Sequence, residues 1–385
     1  MPRSTIIFIL FLSVLATLLG YNYFAHPFAN LETETFVQEE LSPDVESTMV
    51  LSDQLEVRQQ LTQLMAFPYS TTVSQSSQSA TLNWIKQNQP GTVVLFGEKI
   101  STTSAQSAVD KIKASFPDDN LPLVAVDHEG GTVQRLSGAG FTRLPSWKSL
   151  CEDSSSTRQN LLSSSAQELS ILGINVVFAP VVDVASQSAI LRNRVCSADP
   201  VAVKDGATEF IEFFTQQQIL PVIKHYPGIG SIKKDLHRDC EEVTLTKDDI
   251  SVFEKLLTSY SSLGVMSAHV GVKDRYEDMP CSLNEDCLDD LDDFFPNALV
   301  FSDALDMDSA GYVAQSEELS SLEERALAAL KAGNDVLVFG PNVKPEEFDK
   351  ILQTLEKAFE SDSEFKRQVE KSFTKFQIYK IYLQS

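Results

Sequence analysis

The stretch VKDGATEFIEFFTQQQILPVIKHY (203–226) decides the fold. Residues 203–218 carry apolar side chains at helical spacing, and 220–226 is a short apolar run that ends on Lys224, His225 and Tyr226. A helix feeding a strand that is apolar on both faces is the repeating unit of a parallel sheet, whose crossover helices cover both sides. The same kind of run recurs outward in both directions: GTVVLFG (91–97), LPLVAVD (121–127), INVVFAP (174–180), GVMSAH (264–269), ALVFSD (298–303) and DVLVFG (335–340). QLMAFPYS (63–70) is an eroded further candidate, and SLEERALAALKAG (321–333) reads as a helix ending in a C-cap glycine. The expectation is α/β, a single (β/α)₈ barrel of TIM type. The competitor, a doubly wound open sheet, is weakened because neither G-x-G-x-x-G nor G-x-x-x-x-G-K-[ST] opens any of the helices.

Composition narrows the function. The formal charge of −23 over 385 residues argues against a partner such as nucleic acid, because the field would repel a polyanion. An apolar fraction of 43% excludes wholesale disorder. The five cysteines are scattered, odd in number and without a C-x-x-C pair, so they read as ordinary core or surface thiols and not as a disulfide framework or zinc site.

The start of the chain is different. Ile6 to Phe24 is almost unbroken apolar sequence, with Arg3 before it and Glu32, Glu34, Glu39 and Glu40 after it. A helix of that length spans a bilayer core, and the charge asymmetry puts the bulk of the chain outside. Residues 1–25 are therefore expected to be a signal-anchor or signal peptide, with the anchor favoured because no small-x-small cleavage site follows. Residues 26–50 read as an acidic linker, and 51–385 as the barrel domain. The expected location is membrane-anchored or secreted, with the domain on the periplasmic or extracellular side.

Polar residues are placed unevenly. Asp127, Asp183, His225, His269 and Asp303 stand at or just past the C-terminal ends of apolar runs, where the loops of a parallel barrel build active sites. His128 and His237 lie in the same segments. In VDHEGGTVQRL (126–136) two acids, a glycine pair and Arg135 share one turn, and Asp127 can accept from hydroxyls. In IKHYPGIGSIKKDLHRDC (223–240) Asp235 stands two residues before His237 and can hold one ring nitrogen while the other exchanges a proton. A metal held by His225, His237 and Asp235 is the rival reading, ranked lower because no helical ligand spacing is present. Asp303 suits a nucleophile, a general base or a helix N-cap. Arg192 and Arg194 could serve an anionic or hydroxyl-rich ligand.

Taken in order, these segments resemble glycoside hydrolase family 3, and within it the single-domain NagZ-like β-N-acetylglucosaminidases. DHEGGTVQR (127–135) is similar to the family's D-x-E-G-G-R-V-Q-R, and VFAPVVDV (177–184) with RVCSADP (194–200) to its N-F-A-P-V-x-D-V and R-S-F-x-x-D-P. KHYPGIGSIKKDLH (224–237) is similar to K-H-F-P-G-H-G-D-T-x-x-D-S-H, while VMSAH (265–269) and SDALDM (302–307) follow V-M-T-A-H and S-D-D-L-x-M. AGNDVLVF (332–339) fits the last strand. The resemblance implies a retaining exo-hydrolase (β-N-acetylhexosaminidase) with Asp303 as nucleophile, His237 as acid/base and Asp235 as its orienting partner. It also implies that Asp127, Arg135, Arg194, Lys224 and His225 bind a terminal β-linked N-acetylglucosamine of a peptidoglycan fragment or muropeptide, with no cofactor and no metal. Departures from the pattern are Thr132, Ile229, Ser231, Leu236 and Ala304, several of which replace polar groups beside the implied catalytic positions. A phosphorylase variant and a catalytically silent glycan-binding barrel are the alternatives. Oligomeric state is not legible.

Overall fold

The computed structural model describes residues 55–118, 120–186, 188–239, 241–276, 279–311 and 321–385. The anchor and linker expectations fall on residues outside these. Among the described residues no helix is long and apolar enough to cross a membrane.

Eight strands form one parallel sheet: β1 Met65–Ser70, β2 Thr92–Phe96, β3 Leu123–Val126, β4 Val176–Val177, β5 Leu220–Tyr226, β6 Gly264–Ser267, β7 Leu299–Ser302 and β8 Leu337–Val338. Each pairs with the next, in registers such as Phe67↔Val93, Val93↔Val124, Ala125↔Val176, Val177↔Pro221, Ile223↔Val265 and Val265↔Val300. The ring closes through Met65↔Leu337 and a bridge Phe301↔Val336. All eight apolar runs read from the sequence are thus barrel staves. They could be read because both faces of each are covered, so Val93, Val124, Val176, Val222, Val265 and Phe301 are all fully buried. The run 174–180 gives only a two-residue ladder, continued by a bridge from Val181 to Lys224.

The outer helices are α1 Val57–Gln63, α2 Gln75–Asn88, α3 Thr102–Lys113, α4 Ser155–Leu172, α5 Pro200–Thr215, α6 Lys247–Ser259, α7 Glu285–Phe294, α8 Leu322–Lys331, α9 Pro345–Ser361 and α10 Ser363–Gln384. Their starts are set by ordinary caps. Asp199 accepts from Val201 N–H ahead of Pro200 in α5, and Ser321 forms a capping box with Glu324 in α8. Gly333, with φ +111°, lets the chain turn from α8 into β8.

Helix α10 lies across the N-terminal ends of the strands. Phe376 packs against Gly91 ahead of β2, where a Cβ would come within 2.6 Å of its ring. Tyr379 Oη donates to Asn297 O (2.6 Å) ahead of β7. Buried Lys380 Nζ donates to Gln63 Oε1 (2.9 Å) and Asn120 Oδ1 (2.7 Å), ahead of β1 and β3. The barrel floor is therefore covered, and the opposite mouth is left for the site.

The cysteine reading is overturned. Cys151 pairs with Cys196 and Cys281 with Cys287, at Cα–Cα separations of 5.6 and 5.4 Å. Spacing along the chain could not show this, because the first pair is brought together only by the fold; Cys240 lies outside the described residues. The first bridge ties the short helix Trp147–Glu152 to the segment just after Arg194, and the second closes a six-residue separation beside Ser282.

Candidate active site

The loops at the C-terminal ends of the strands enclose a cleft of about 560 Å³ lined by Asp127, Arg135, Lys224, His225, His237 and Asp303, among others. Asp303 follows β7, and its N–H donates to Ser267 O (2.9 Å), continuing the strand ladder one residue into the mouth. Ala304 N–H donates to Asp303 Oδ1 (2.8 Å) and holds the carboxylate in place. Burial alone would push this carboxyl up. His269, His225, the Ala304 N–H and Lys224 outweigh it and hold the group below the usual carboxylate range, ionised.

Lys224 and His225 both reach the cleft although strand neighbours ordinarily face opposite ways. The pairing of β5 with β6 shifts register between Lys224 and Tyr226, and that irregularity re-aims the side chains. His225 Nδ1 donates to Asp183 Oδ2 (2.8 Å), and Arg194 Nη2 lies 3.4 Å from Nε2. A guanidinium only donates, so this contact assigns Nε2 as acceptor and the ring as the Nδ1–H tautomer. The other Asp183 oxygen accepts from Ile229 N–H (2.7 Å), which fixes the start of the loop after β5.

Glu129 is the group the sequence reading passed over. It is buried in the hairpin after β3, where it accepts from Arg194 Nε (2.7 Å) and Nη2 (2.9 Å) and pairs with Lys224 Nζ (2.6 Å). Burial opposes its ionisation, but Arg194 and Lys224 prevail and hold its pKa at about 2. Lys224 also meets Asp127 Oδ1 at 3.3 Å, and Arg135 Nη2 meets Asp127 Oδ2 at 3.5 Å. Thus Asp127, Arg135, Arg194, Lys224 and His225, predicted separately, form one connected network. The missed signal was that two buried cations in an acidic chain need a buried counter-ion, and Glu129 is the acid between them in the fold.

His128 is placed otherwise than its segment suggested. It points away from the mouth, fully buried, with Nε2 2.7 Å from Ser165 Oγ of α4. Burial depresses its pKa to about 3, so it stays neutral. Its neighbours Asp127 and Glu129 face the other side, as alternation along an extended chain requires. Arg192 is exposed and donates to Ala189 O (3.4 Å), apart from the cleft.

The loop carrying Asp235 and His237 extends over the mouth from β5. His237 lines the cleft and is largely exposed, with Nδ1 donating to Asp235 Oδ1 (2.9 Å), which leaves Nε2 out of that bond. Burial pushes Asp235 up, but the side-chain and backbone bonds from His237 together outweigh it and hold the group below the usual range. The loop is anchored by apolar burial: Ile229, Ile232 and Leu236 are each at most 4% exposed. Leu236 O and His237 O accept from Ser309 N–H (3.3 Å) and Asp308 N–H (3.5 Å) of the loop after β7. Ile229 and Leu236, expected to remove supporting hydrogen bonds, instead supply apolar anchors. Among the described residues no group of three or more His, Cys, Asp or Glu side chains is arranged to hold a metal ion.

Together these groups suit one kind of chemistry: an ionised carboxylate lining the same cleft as an imidazole that is held by its own acid, beside a network able to bind hydroxyls. The comparisons agree with that geometry. Residues 56–377 match the model of the glycosyl hydrolase family 3 N terminal domain. A β-hexosaminidase of Tolumonas auensis is 33% identical over 261 residues, 64% of this chain and 75% of that protein. Among solved structures, a β-N-acetylhexosaminidase of Beutenbergia cavernae superposes with a TM-score of 0.76 at 22% identity, covering 85% of this chain and 99% of that one. LpqI of M. tuberculosis superposes with a TM-score of 0.74 at 25% identity, covering 86% and 96%. With the match spanning every stave of the barrel and the cleft built at its mouth, the chain is a glycoside hydrolase and belongs to glycosyl hydrolase family 3.

Proposed function

We propose that the protein is a retaining exo-β-N-acetylglucosaminidase that removes a terminal β-linked N-acetylglucosamine from cell-wall fragments. The observation that carries this reading is that Asp303 and His237 line one cleft, with Asp127, Arg135, Lys224 and His225 completing its wall. The names of the β-hexosaminidase relatives support the choice of sugar.

In this reading Asp303 attacks the anomeric carbon as the glycosidic C–O bond breaks. The imidazolium of His237 gives its Nε2 proton to the departing oxygen, and the Asp235 carboxylate stabilises that cation and fixes its ring. In the second step the neutral ring takes a proton from water, the resulting hydroxide equivalent attacks the same carbon from the vacated face, and Asp303 leaves as carboxylate. Two inversions give retention. The usual acid/base in such enzymes is a second carboxyl about 5–5.5 Å from the nucleophile; here the histidine takes that part. Hydrolysis of a chromogenic N-acetyl-β-glucosaminide should release the β-anomer first, and Asp303→Ala should abolish it. Turnover unchanged in that variant, or initial release of the α-anomer, would sink the proposal.

We also propose that the domain works in an oxidising compartment, outside the cytoplasm and tethered or released by its N-terminal segment. The two disulfides support this, since cytosolic thiols are kept reduced. Alkylation of protein taken from its native host without reductant should leave four cysteines unmodified. Complete labelling of all five, in the cytosolic fraction, would refute it.

A further inference from the structure

A second cavity, also about 560 Å³, adjoins the cleft and shares Gly97, Glu98 and Arg135 with it. Loops after β2, β3 and β4 build it, and nothing from β5 onward lines it. Asp303 stands on the loop after β7, opposite β3 in the ring, and the loop carrying His237 is bonded to that same loop through Asp308 and Ser309, so the cavity lies across the mouth from the reacting groups.

Its charge is opposite to that of the molecule. Lys99, Arg135, Arg143 and Arg194 line it against one acid, Glu98, in a chain of net charge −23. Arg194 is committed to Glu129. Arg135 touches Asp127 only at 3.5 Å, and its buried Nε has no hydrogen-bond partner among the described residues. Lys99 and Arg143 are exposed, and neither has a side-chain hydrogen bond or ion pair among the described residues. The walls are locked before any ligand arrives. Ile100 N–H donates to Arg135 O (2.9 Å), Gly138 N–H donates to Ile100 O (3.0 Å), and a Cβ on Gly138 would sit 2.3 Å from Lys99 O. Unpaired cations held in a preformed cavity are built for an anion, not for a neutral hydroxyl.

We infer that this cavity binds an anionic substituent, a carboxylate or phosphate, carried by the sugar that occupies the cleft, so that acidic terminal sugars are bound in preference to neutral ones. The inference rests on the glycosidase reading above: the leaving group departs toward His237, so a substituent on the opposite side belongs to the sugar that is retained.

The test is inhibition of the chromogenic substrate by three sugars, N-acetylglucosamine, its 6-phosphate and N-acetylmuramic acid, with the full chain and its Lys99→Ala/Arg143→Ala variant. At least one acidic sugar should inhibit about tenfold more tightly than the neutral one, as a charge-assisted contact allows. Which of the two does so identifies phosphate or carboxylate as the source. The double variant should lose that advantage while keeping its turnover of the neutral substrate and its inhibition by N-acetylglucosamine. Equal inhibition by all three sugars in the wild type, an advantage that survives in the variant, or a variant weakened equally toward all three would overturn the inference. If the chromogenic substrate is not turned over at all, the glycosidase reading fails instead, and calorimetric binding of the same three sugars to the same two proteins decides the anion site.

Discussion

His269 Nε2 donates to the backbone carbonyl oxygen of Ala304, 3.0 Å away and one residue beyond Asp303. Its Nδ1 lies 2.6 Å from Ser282 Oγ, so both ring nitrogens are held, and burial lowers its pKa. Asn334 holds the support in turn, donating from Nδ2 to Ser282 O (2.7 Å) and accepting from Ser267 Oγ (2.6 Å). His269 is thus a positioning residue for the end of β7. His269→Ala should lower kcat by about ten- to a hundredfold, the cost of a misplaced reacting group. KM should change little, and steady-state kinetics reads the split. A pure KM effect would place His269 in binding instead.

Glu129→Gln should cost both stability and affinity. It leaves Lys224 buried with only Asp127, a loss of about 3 kcal/mol by the usual measure for breaking a buried pair. The pH dependence follows from the depressed pKa of about 2 against 4.5 ordinarily. Such a group stabilises fully above its unfolded value, and the contribution fades as pH falls toward its folded one. Urea unfolding at pH 6 and pH 3 should show the wild type losing about 2 kcal/mol of its advantage over the variant. An advantage constant with pH would contradict the ion-pair account.

Both Asp303 and Asp235 are held below the ordinary carboxylate range, so the acid limb of kcat/KM should lie below the pH at which free carboxylates titrate. Lys224 is one of the groups holding Asp303 down. Lys224→Met should therefore move the limb upward, beyond any loss of affinity. An unmoved limb would mean that Asp303 does not set it.

Lys380 gives the opposite sign. Burial between neutral partners lowers its pKa from 10.5 to about 8, so the unfolded chain holds the proton more tightly. Stability from this group therefore rises with pH from about 8 to 10.5. Between pH 7.5 and 9.5 the wild type should gain about 2 kcal/mol relative to Lys380→Met in urea unfolding. A variant that tracks the wild type over that range would show that the buried amine keeps its charge at no cost.

The barrel was legible because two-sided burial writes itself as apolar runs, and Asp303, Lys224 and His225 were legible because they end such runs. Other features resist that reading for physical reasons. Glu129 sits in a Gly-rich turn, where an acid ordinarily faces water, and only the fold brings Arg194 and Lys224 to it. His128 belongs to the same turn but alternates to the far side, against Ser165. Lys380 lies on an amphipathic helix where a lysine usually marks the wet face, yet α10 crosses the barrel floor with this lysine on its buried side. The Cys151–Cys196 pair follows from tertiary proximity alone.

The order of those cysteines along the chain, 151, 196, 240, 281 and 287, has a consequence for biogenesis. A chain threaded N-terminus first through a translocation pore presents Cys196 to Cys151 before any competitor arrives. Cys281 has no such protection: Cys240 emerges ahead of it, and Cys287 only afterwards. If the domain is exported as proposed above, oxidation during threading offers one wrong turn, a 240–281 crosslink that would have to be reshuffled before Cys281 could pair with Cys287. A chain carrying Cys240→Ser would be spared that detour and would not need a disulfide isomerase to reach the same fold.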